Sequence, residues 1–227
     1  MASELEKQIA AAEKEWERGW KLGPTRLRWT ELPPQVGDQA PDSTLLDASG
    51  RETRLSDLWK ERPLLLLFWR HFGCGCGVDR AARLSKELPD YQAAGANTAI
   101  IGMGEPERTA AYAEKYKLPA IPVLCDPELQ VYESFGIVEG KTSQIFFDAP
   151  EPFLDRDYEA GMKLAEARRA DDRPVVDNAW LMPCEFVIDQ NGEIRFAYRY
   201  NYCEDFPDHR VHLAAIREAR LAVNAGS

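Results

Sequence analysis

The chain has 227 residues, of which 44% are hydrophobic and 29% are charged, a composition typical of a globular protein with a full core. Its net charge of −10 argues against nucleic-acid and anionic-membrane partners, because both need a basic contact surface. The longest apolar run, Leu64 to Trp69, is too short to cross a bilayer. The charged beginning of the chain lacks the apolar segment of a signal peptide. We therefore expect a cytoplasmic protein.

The first part of the chain predicts a helical extension followed by a linker. Residues 3–20 carry apolar side chains at helical spacing, and Ser3 with Glu6 forms a capping-box pattern at their start. A proline-rich connector follows, and its prolines favour extended backbone. We therefore predict an extension over residues 1–34 and a single domain over residues 35–227.

The domain begins with a predicted hairpin and a buried strand. Residues 43–58 surround a Ser-Gly turn, which is typical of a small β-hairpin. Residues 64–69 are apolar at every position, which predicts a strand buried on both faces. Helical spacing of apolar residues then predicts a long helix that ends at Ala94 and Gly95.

The remaining elements alternate in a way that predicts an α/β fold. Residues 97–103 form a second predicted buried strand, followed by helix, strand and helix. Residues 140–180 form an irregular insertion with one predicted helix near 158–169. Residues 185–200 predict a hairpin with an Asn-Gly turn, and a helix over residues 208–223 closes the domain. This order predicts a central mixed β-sheet with helices on both faces.

A glycine-rich stretch with two cysteines joins the buried strand to the first long helix. The sequence "HFGCGCG" places Cys74 and Cys76 at the start of that helix, and Arg70 and His71 add positive charge beside them. A thiol there lies at the positive end of the helix dipole, which stabilises the thiolate, the nucleophile of disulfide exchange and peroxide reduction. Side chains two positions apart on a helix diverge, so one cysteine must precede the helix if the two are to form a disulfide.

The chain resembles the peroxiredoxin-like redoxins of the alkyl hydroperoxide reductase/thiol-specific antioxidant (AhpC/TSA) family, which have the thioredoxin fold. The resemblance covers about residues 35–222 and rests on "VGDQAPDSTLLDASGRETRLSDL", "FWRHFGC", "VLCDPELQVYESFGI" and "MPCEFVIDQNGEIRFAYRYN". It implies a thiol-dependent oxidoreductase that acts on a peroxide or a protein disulfide, and it leaves a homodimer open. The sequence has neither a P-loop nor a dinucleotide-binding fingerprint, so no organic cofactor is expected. The leading interpretation also includes no metal cofactor.

The resemblance also assigns the site residues. Cys74 aligns with the first cysteine of the family motif and is the predicted attacking thiol, with Cys76 as its resolving partner. Pro183 stands where thioredoxin-like folds have a cis-proline against the reactive cysteines, so we predict a cis Met182–Pro183 bond. Cys184 follows directly, and we expect it close to the cysteine loop as a reserve thiol.

Two features of the family pattern are missing from the chain. Typical peroxiredoxins carry Pro-x-x-x-Thr-x-x-Cys, and neither Cys74 nor Cys76 fits that spacing. The family arginine that supports the peroxidatic thiolate would fall near Pro183, where the sequence has none. Arg70 is the candidate substitute. We therefore expect thiol redox chemistry with slow turnover of peroxide.

Two other classes of function stay open at this point. His71, Cys74, Cys76 and Cys184 form a conceivable ligand set for zinc, copper(I) or iron, although no second paired motif accompanies the short Cys-x-Cys. The chain is alternatively a catalytically inactive redoxin that serves as a binding module.

The other cysteines and histidines carry weaker signals. Cys125 ends an apolar strand and is predicted to be a buried core residue. Cys203 lies just past the last predicted strand, where it is either exposed or a resolving thiol. His209 and His212 open the last helix, and we expect them on a solvated face.

Overall fold

The structure, a computed structural model, describes residues 32–72, 74–145 and 177–225 and the isolated positions 7, 10, 14 and 18. Those four isolated positions are helical, and the rest of the predicted N-terminal helix lies outside the described residues. The helix predicted within the insertion also lies outside them. The division of the chain at residue 34 stays a prediction.

A mixed sheet forms the centre of the domain, and its described part has seven strands in the order β2-β1-β5-β4-β3-β6-β7. The strands are β1 (Thr44–Asp47), β2 (Glu52–Arg54), β3 (Leu64–Phe68), β4 (Asn97–Gly102), β5 (Val123–Cys125), β6 (Cys184–Ile188) and β7 (Ile194–Arg199). β3, β4 and β5 are parallel to each other, and the other neighbours are antiparallel. This arrangement confirms the predicted mixed sheet.

Helices cover both faces of this sheet. They are α1 (Leu55–Trp59), α2 (Gly75–Ala93), α3 (Pro106–Lys115), α4 (Gln130–Ser134), α5 (Thr142–Ile145) and α6 (His209–Ala225). Leu66 and Phe68 of β3 pack in one hydrophobic core with α1 and α4, while Leu65 and Leu67 pack in a second core with α2 and α6. Successive residues of a strand point to opposite faces, so β3 needs apolar residues throughout. Of the described helices, none has the length and apolar character needed to span a membrane.

The first hairpin is shorter than the sequence predicts. β2 ends at Arg54, and residues 55–58 belong to helix α1 instead. The Oδ1 atom of Asp42 accepts a hydrogen bond from the backbone N–H of Ser56 at 3.0 Å, which satisfies one donor in the first turn of the helix. The acceptor comes from 14 residues earlier in the chain, so the local pattern gives no sign of it.

The chain enters β6 through a trans proline. The described residues contain no cis peptide bond, so the predicted cis Met182–Pro183 bond is wrong. Leu181 forms an antiparallel bridge with Glu139, and the N–H of Met182 donates to the carbonyl of Val138 at 3.2 Å. The chain is therefore already extended before Pro183, and a trans bond carries it straight on into the strand.

Candidate functional site

Cys74 and Cys76 lie at the start of helix α2, as predicted. Cys74 is the N-cap residue with extended backbone (φ −82°, ψ 129°), and Cys76 lies in the first turn. The structure pairs them as a disulfide with their Cα atoms 5.4 Å apart, a separation that disulfides commonly span. One sulfur therefore precedes the helix and the other lies within it, which confirms the expected arrangement.

Gly77 brings the start of α2 close to the residues around β3. A Cβ atom at Gly77 would lie 2.7 Å from Nε1 of Trp69 and 2.8 Å from the hydroxyl oxygen of Tyr112. Those two groups are themselves joined, since Nε1 of Trp69 donates a hydrogen bond to the Tyr112 hydroxyl at 3.1 Å. Only a residue without a side chain leaves both the close approach and this hydrogen bond intact.

A third cysteine joins the pair. Cys203, in the loop after β7, is 1% exposed and packs in one cluster with Cys74 and Cys76. Its thiol donates to the carbonyl of Ile145 at 3.3 Å, and its backbone N–H donates to the carbonyl of Gln144 at 3.1 Å. Of the two alternatives that the sequence leaves open for Cys203, exposure is excluded.

Arg70 is a buried cation that faces two of these sulfurs. Its side chain is 2% exposed, and its Nη1 atom lies 3.1 Å from Sγ of Cys74 and 2.9 Å from Sγ of Cys203. The guanidinium also donates to the carbonyl oxygens of Leu181 and Ala179. Within the described part of the chain, no carboxylate lies at ion-pair distance from Arg70. A buried charge is costly without a counter-ion, and a thiolate at this position supplies one.

Cys184 does not join the three sulfurs. It is 1% exposed and packs in the core on the face of the sheet opposite α2. Residues of a strand alternate between faces, and along β6 it is Glu185 that points towards α2. Burial raises the pKa of the Cys184 thiol to about 12, so this thiol stays protonated at neutral pH. The expected position of Cys184 beside the cysteine pair is wrong.

The proposed metal ligands are therefore not assembled. His71 is buried next to the pair, and its carbonyl accepts the backbone N–H of Cys74 at 3.0 Å, but Cys184 lies across the sheet. Among the described residues, no group of three or more His, Cys, Asp or Glu side chains is arranged to hold a metal ion. The geometry gives the metal-binding alternative no support.

A small cavity adjoins the cysteines. Its volume is about 20 Å³, which is room for a single water molecule. Cys76, Cys203 and Pro183 line it together with the side chains of Glu185 and Tyr200. The cavity therefore connects the cysteine cluster to a buried carboxylate and a phenol.

Glu185 is the centre of a buried polar network. Arg80 donates to both carboxylate oxygens, from Nε to Oε1 at 2.7 Å and from Nη2 to Oε2 at 3.2 Å. The hydroxyl of Tyr200 donates to Oε1. Nε2 of His212 lies 2.7 Å from Oε2, close enough for an ion pair but outside hydrogen-bond angles. Burial alone would raise the pKa of Glu185, but Arg80 and His212 outweigh it and hold the pKa at about 2.

The network closes into a ring through helix α2. Nη1 of Arg80 donates to Oε2 of Glu87 at 2.9 Å, and the hydroxyl of Tyr91 donates to the same oxygen at 3.0 Å. That hydroxyl also lies 3.1 Å from Nδ1 of His212, which leads back to Glu185. His212 is 0% exposed, so its predicted place on a solvated face is wrong. The ring ties α2, β6 and α6 together.

This network is not predicted from the sequence, although the sequence contains one signal of it. Glu185 is the charged residue of β6, whose five residues are all buried, and a buried charge implies a partner. Arg80 follows Cys76 by four positions, so the two share one face of α2. The sequence leaves a resolving role for Cys203 open, but the contact of Cys203 with the pair has no local signal, because the loop after β7 reaches the pair only in the folded chain.

Comparison with known proteins agrees with the fold and with the resemblance noted in the sequence. A sequence profile of the AhpC/TSA family matches residues 36–197. The chain is 35% identical to the thioredoxin-like protein AAED1, chloroplastic, of Arabidopsis thaliana over 96 residues, which is 42% of this chain and 38% of that protein. It is 31% identical to peroxiredoxin Bcp of Escherichia coli K12 over 105 residues, which is 46% of this chain and 66% of that protein. The matches thus span less than two thirds of these curated relatives.

The fold is similar to that of peroxidoxin BcpB from Mycobacterium tuberculosis, with a TM-score of 0.58 and 19% identity. The superposition covers 82% of this chain and 97% of that structure. At this identity the likeness concerns the fold alone, and the profile match supplies the family. With a thioredoxin-like fold and a profile match over most of its length, the chain belongs to the AhpC/TSA family.

Proposed function

We propose that this protein is a thiol-dependent oxidoreductase whose Cys74–Cys76 pair cycles between dithiol and disulfide. One observation carries the proposal: the two sulfurs are paired at the start of α2, and Nη1 of the buried Arg70 lies 3.1 Å from Sγ of Cys74. The cation and the helix N-terminus both stabilise negative charge on Cys74. The family supports the same chemistry.

The reaction begins with the Cys74 thiolate as nucleophile. With a peroxide, the thiolate attacks one oxygen, the O–O bond breaks, and the alcohol or water leaves with a proton, which makes Cys74 a sulfenic acid. The Cys76 thiol then attacks the Cys74 sulfur, and water leaves as the disulfide forms. With a disulfide substrate, the Cys74 thiolate attacks one sulfur, the substrate S–S bond breaks, and one substrate thiolate leaves as a mixed disulfide forms. The Cys76 thiol then gives up its proton and attacks the Cys74 sulfur, and the second substrate sulfur leaves as a thiolate. An external thiol reductant restores the dithiol.

Arg70 is the positioning residue in this scheme and takes the part of the family arginine. Pro183 lines the cavity next to Cys76. The carbonyl of His71 accepts a hydrogen bond from the backbone N–H of Cys74. Cys74 and Cys76 are only 3% and 5% exposed. A protein partner therefore needs local opening of the site, whereas a small hydroperoxide needs less room.

Mass spectrometry of the reduced protein after addition of hydrogen peroxide or of a small disulfide tests the proposal. We expect a Cys74–Cys76 disulfide that dithiothreitol reverses, lost in Cys74→Ser and retained in the matched variant Cys125→Ser. Cys125 is a suitable control because it is buried in the core, as the sequence predicts, and its thiol lies 3.4 Å from Oγ1 of Thr109. A protein that never forms this disulfide is not such an oxidoreductase and would be the inactive binding module.

We further propose a cytoplasmic location and a separate N-terminal extension. The thiols of Cys125 and Cys184 are free, which supports a reducing compartment. Nη2 of Arg199 donates to the carbonyl of Pro34 at 2.9 Å. This bond supports an extension whose last residue, Pro34, is attached to the domain. Deleting residues 1–30 should lower the thermal stability or change the oligomeric mass; if both stayed the same, the extension would not pack on the domain or on a second copy.

A further inference from the structure

We propose that Cys203 is a third redox-active thiol, which exchanges with the Cys74–Cys76 disulfide and moves the bond to Cys74–Cys203. The inference rests on the proposed function, because it extends the chemistry of the same cysteine pair. No resemblance assigns Cys203 this role, and the geometry of the described residues carries it.

The first support is the position of Arg70 between two sulfurs. Nη1 lies 3.1 Å from Sγ of Cys74 and 2.9 Å from Sγ of Cys203. Since both contacts share one nitrogen, the two sulfurs are at most about 6 Å apart. To form a disulfide, whose S–S length is about 2 Å, the two sulfurs therefore have to approach each other by at most about 4 Å. The cation next to Cys74 therefore also lies next to Cys203, whose neutral thiol donates to the carbonyl of Ile145 at 3.3 Å and gives up this bond when it ionises.

The second support is the contrast with an ordinary buried cysteine. Cys125 is as deeply buried, but its thiol meets a neutral hydroxyl, and burial raises its pKa. Cys203 instead packs in a cluster with the two paired cysteines and faces a guanidinium. A neutral cysteine that only fills space in the core is stable without a cation beside it. A buried thiolate is stabilised by such a cation.

The exchange is balanced without any external oxidant. The Cys203 thiolate attacks Sγ of Cys74, the Cys74–Cys76 bond breaks, and Cys76 leaves as a thiolate. The proton that Cys203 gave up goes to Cys76, so one disulfide and one thiol are present before and after the step. The freed Cys76 borders the cavity that also contains Tyr200 and Glu185. The shift thus releases the sulfur next to this cavity and keeps Cys74 oxidised.

The full-length variant Cys76→Ser tests the proposal. The variant is reduced, oxidised with diamide under native conditions, quenched in acid, denatured, and blocked with N-ethylmaleimide before peptide mass spectrometry. We expect an intramolecular Cys74–Cys203 disulfide as the main product. Cys76→Ser/Cys125→Ser should retain this bond, whereas Cys76→Ser/Cys203→Ser should lose every intramolecular bond of Cys74.

A second measurement uses the wild-type protein and does not depend on how the variants fold. During partial reduction of the oxidised protein by dithiothreitol, samples quenched in acid should contain a transient Cys74–Cys203 peptide pair. The inference is overturned if the wild-type samples lack this peptide pair and Cys76→Ser forms only intermolecular bonds. A Cys76–Cys203 bond in Cys74→Ser, without any Cys74–Cys203 bond elsewhere, overturns it as well. If the oxidised wild-type protein lacked the Cys74–Cys76 bond altogether, the proposed function itself would fail.

Discussion

The guanidinium of Arg70 and the sulfur of Cys74 are in direct contact, with Nη1 3.1 Å from Sγ. In the described part of the chain Arg70 has sulfur and carbonyl partners but no carboxylate. Ionisation of a neighbouring thiol therefore removes part of the cost of burying the cation. We therefore expect Cys74, once the disulfide is reduced, to ionise more readily than a buried thiol without a neighbouring cation.

Arg70→Met should slow the alkylation of Cys74 in the reduced protein. We expect the rate with iodoacetamide at pH 6 to fall by about tenfold or more, since a loss of about 1.4 kcal/mol of thiolate stabilisation is a factor of ten. The difference should narrow at pH 9, where more of the thiol ionises without help. Arg62→Met, at an exposed position, is the matched control and should react like the wild type. Equal rates for all three proteins would show that Arg70 does not act on the thiolate.

Cys74 should be the first cysteine labelled when the reduced protein is treated with a thiolate-selective reagent at mildly acidic pH. Burial raises the pKa of Cys125 and brings that of Cys184 to about 12, so both should react only after denaturation. Peptide mass spectrometry over a time course gives the order. Cys74→Ser should abolish the early labelling, and Cys125→Ser should leave it unchanged. Early labelling of Cys125 would contradict the assignment.

Hydrogen peroxide should oxidise Cys74 slowly compared with peroxiredoxins that carry Pro-x-x-x-Thr-x-x-Cys. The threonine of that pattern is missing around Cys74 and Cys76, so we expect Arg70 and the start of α2 to orient the peroxide less well. Stopped-flow measurement of thiol loss gives the rate constant, with a peroxiredoxin that carries the pattern as a reference. A rate equal to that of the reference would show that this geometry replaces the missing residue fully.

Glu185→Gln should lower the free energy of unfolding at pH 7 by about 3–5 kcal/mol, as expected when one partner of a buried ion pair is removed. Arg80 would lose its main buried counter-ion, and Tyr200 and His212 would lose a charged partner. Urea denaturation measures the change. Asp57→Asn is the control, because it breaks an exposed pair with Lys60 and should cost less than about 1 kcal/mol.

The same variant should change the pH dependence of stability. The pKa of Glu185 is held at about 2, below its ordinary value of 4.5, so the folded state favours the ionised carboxylate. Its stabilisation is complete above pH 4.5 and is lost as the pH falls towards 2. The difference between wild type and Glu185→Gln should therefore narrow over that range. If the difference in unfolding free energy stayed constant over this pH range, the variant would be destabilised by lost packing and not by the lost charge of Glu185.

Gly77→Ala should destabilise the protein, although alanine in a helix is favoured over glycine by about 1 kcal/mol. The added Cβ would lie 2.7 Å from Nε1 of Trp69 and would push apart a packed ring and its hydrogen-bond partner, at a cost of about 1–3 kcal/mol. Lys86→Ala changes an exposed position on the same helix. Thermal unfolding of this variant and of Gly77→Ala separates the helix propensity of alanine from the cost of the close contact. Equal or higher stability of Gly77→Ala would show that the contact relaxes easily.

The sequence predicted the elements that depend on local pattern. The all-apolar run of β3 and the cysteines at the start of α2 follow from residues that are neighbours in the chain. The positions of Cys184 and Cys203 do not, because they depend on which face of β6 meets α2 and on where the loop after β7 returns. The expected exposure of His212 is wrong for a similar reason, because its burial depends on residues of other elements, Glu185 among them.

The ring around Glu185 restricts how this part of the sequence can change. Each member has two or more partners, so a single apolar replacement leaves a charge or a hydroxyl buried without one, which is strongly destabilising. A well-packed apolar set at all of these positions is compatible with folding, but each intermediate sequence is strongly destabilised. Homologues should therefore differ at Arg80, Glu87, Tyr91, Glu185 and His212 together or not at all, and a design that recombines this chain with a relative has to exchange these positions as one block.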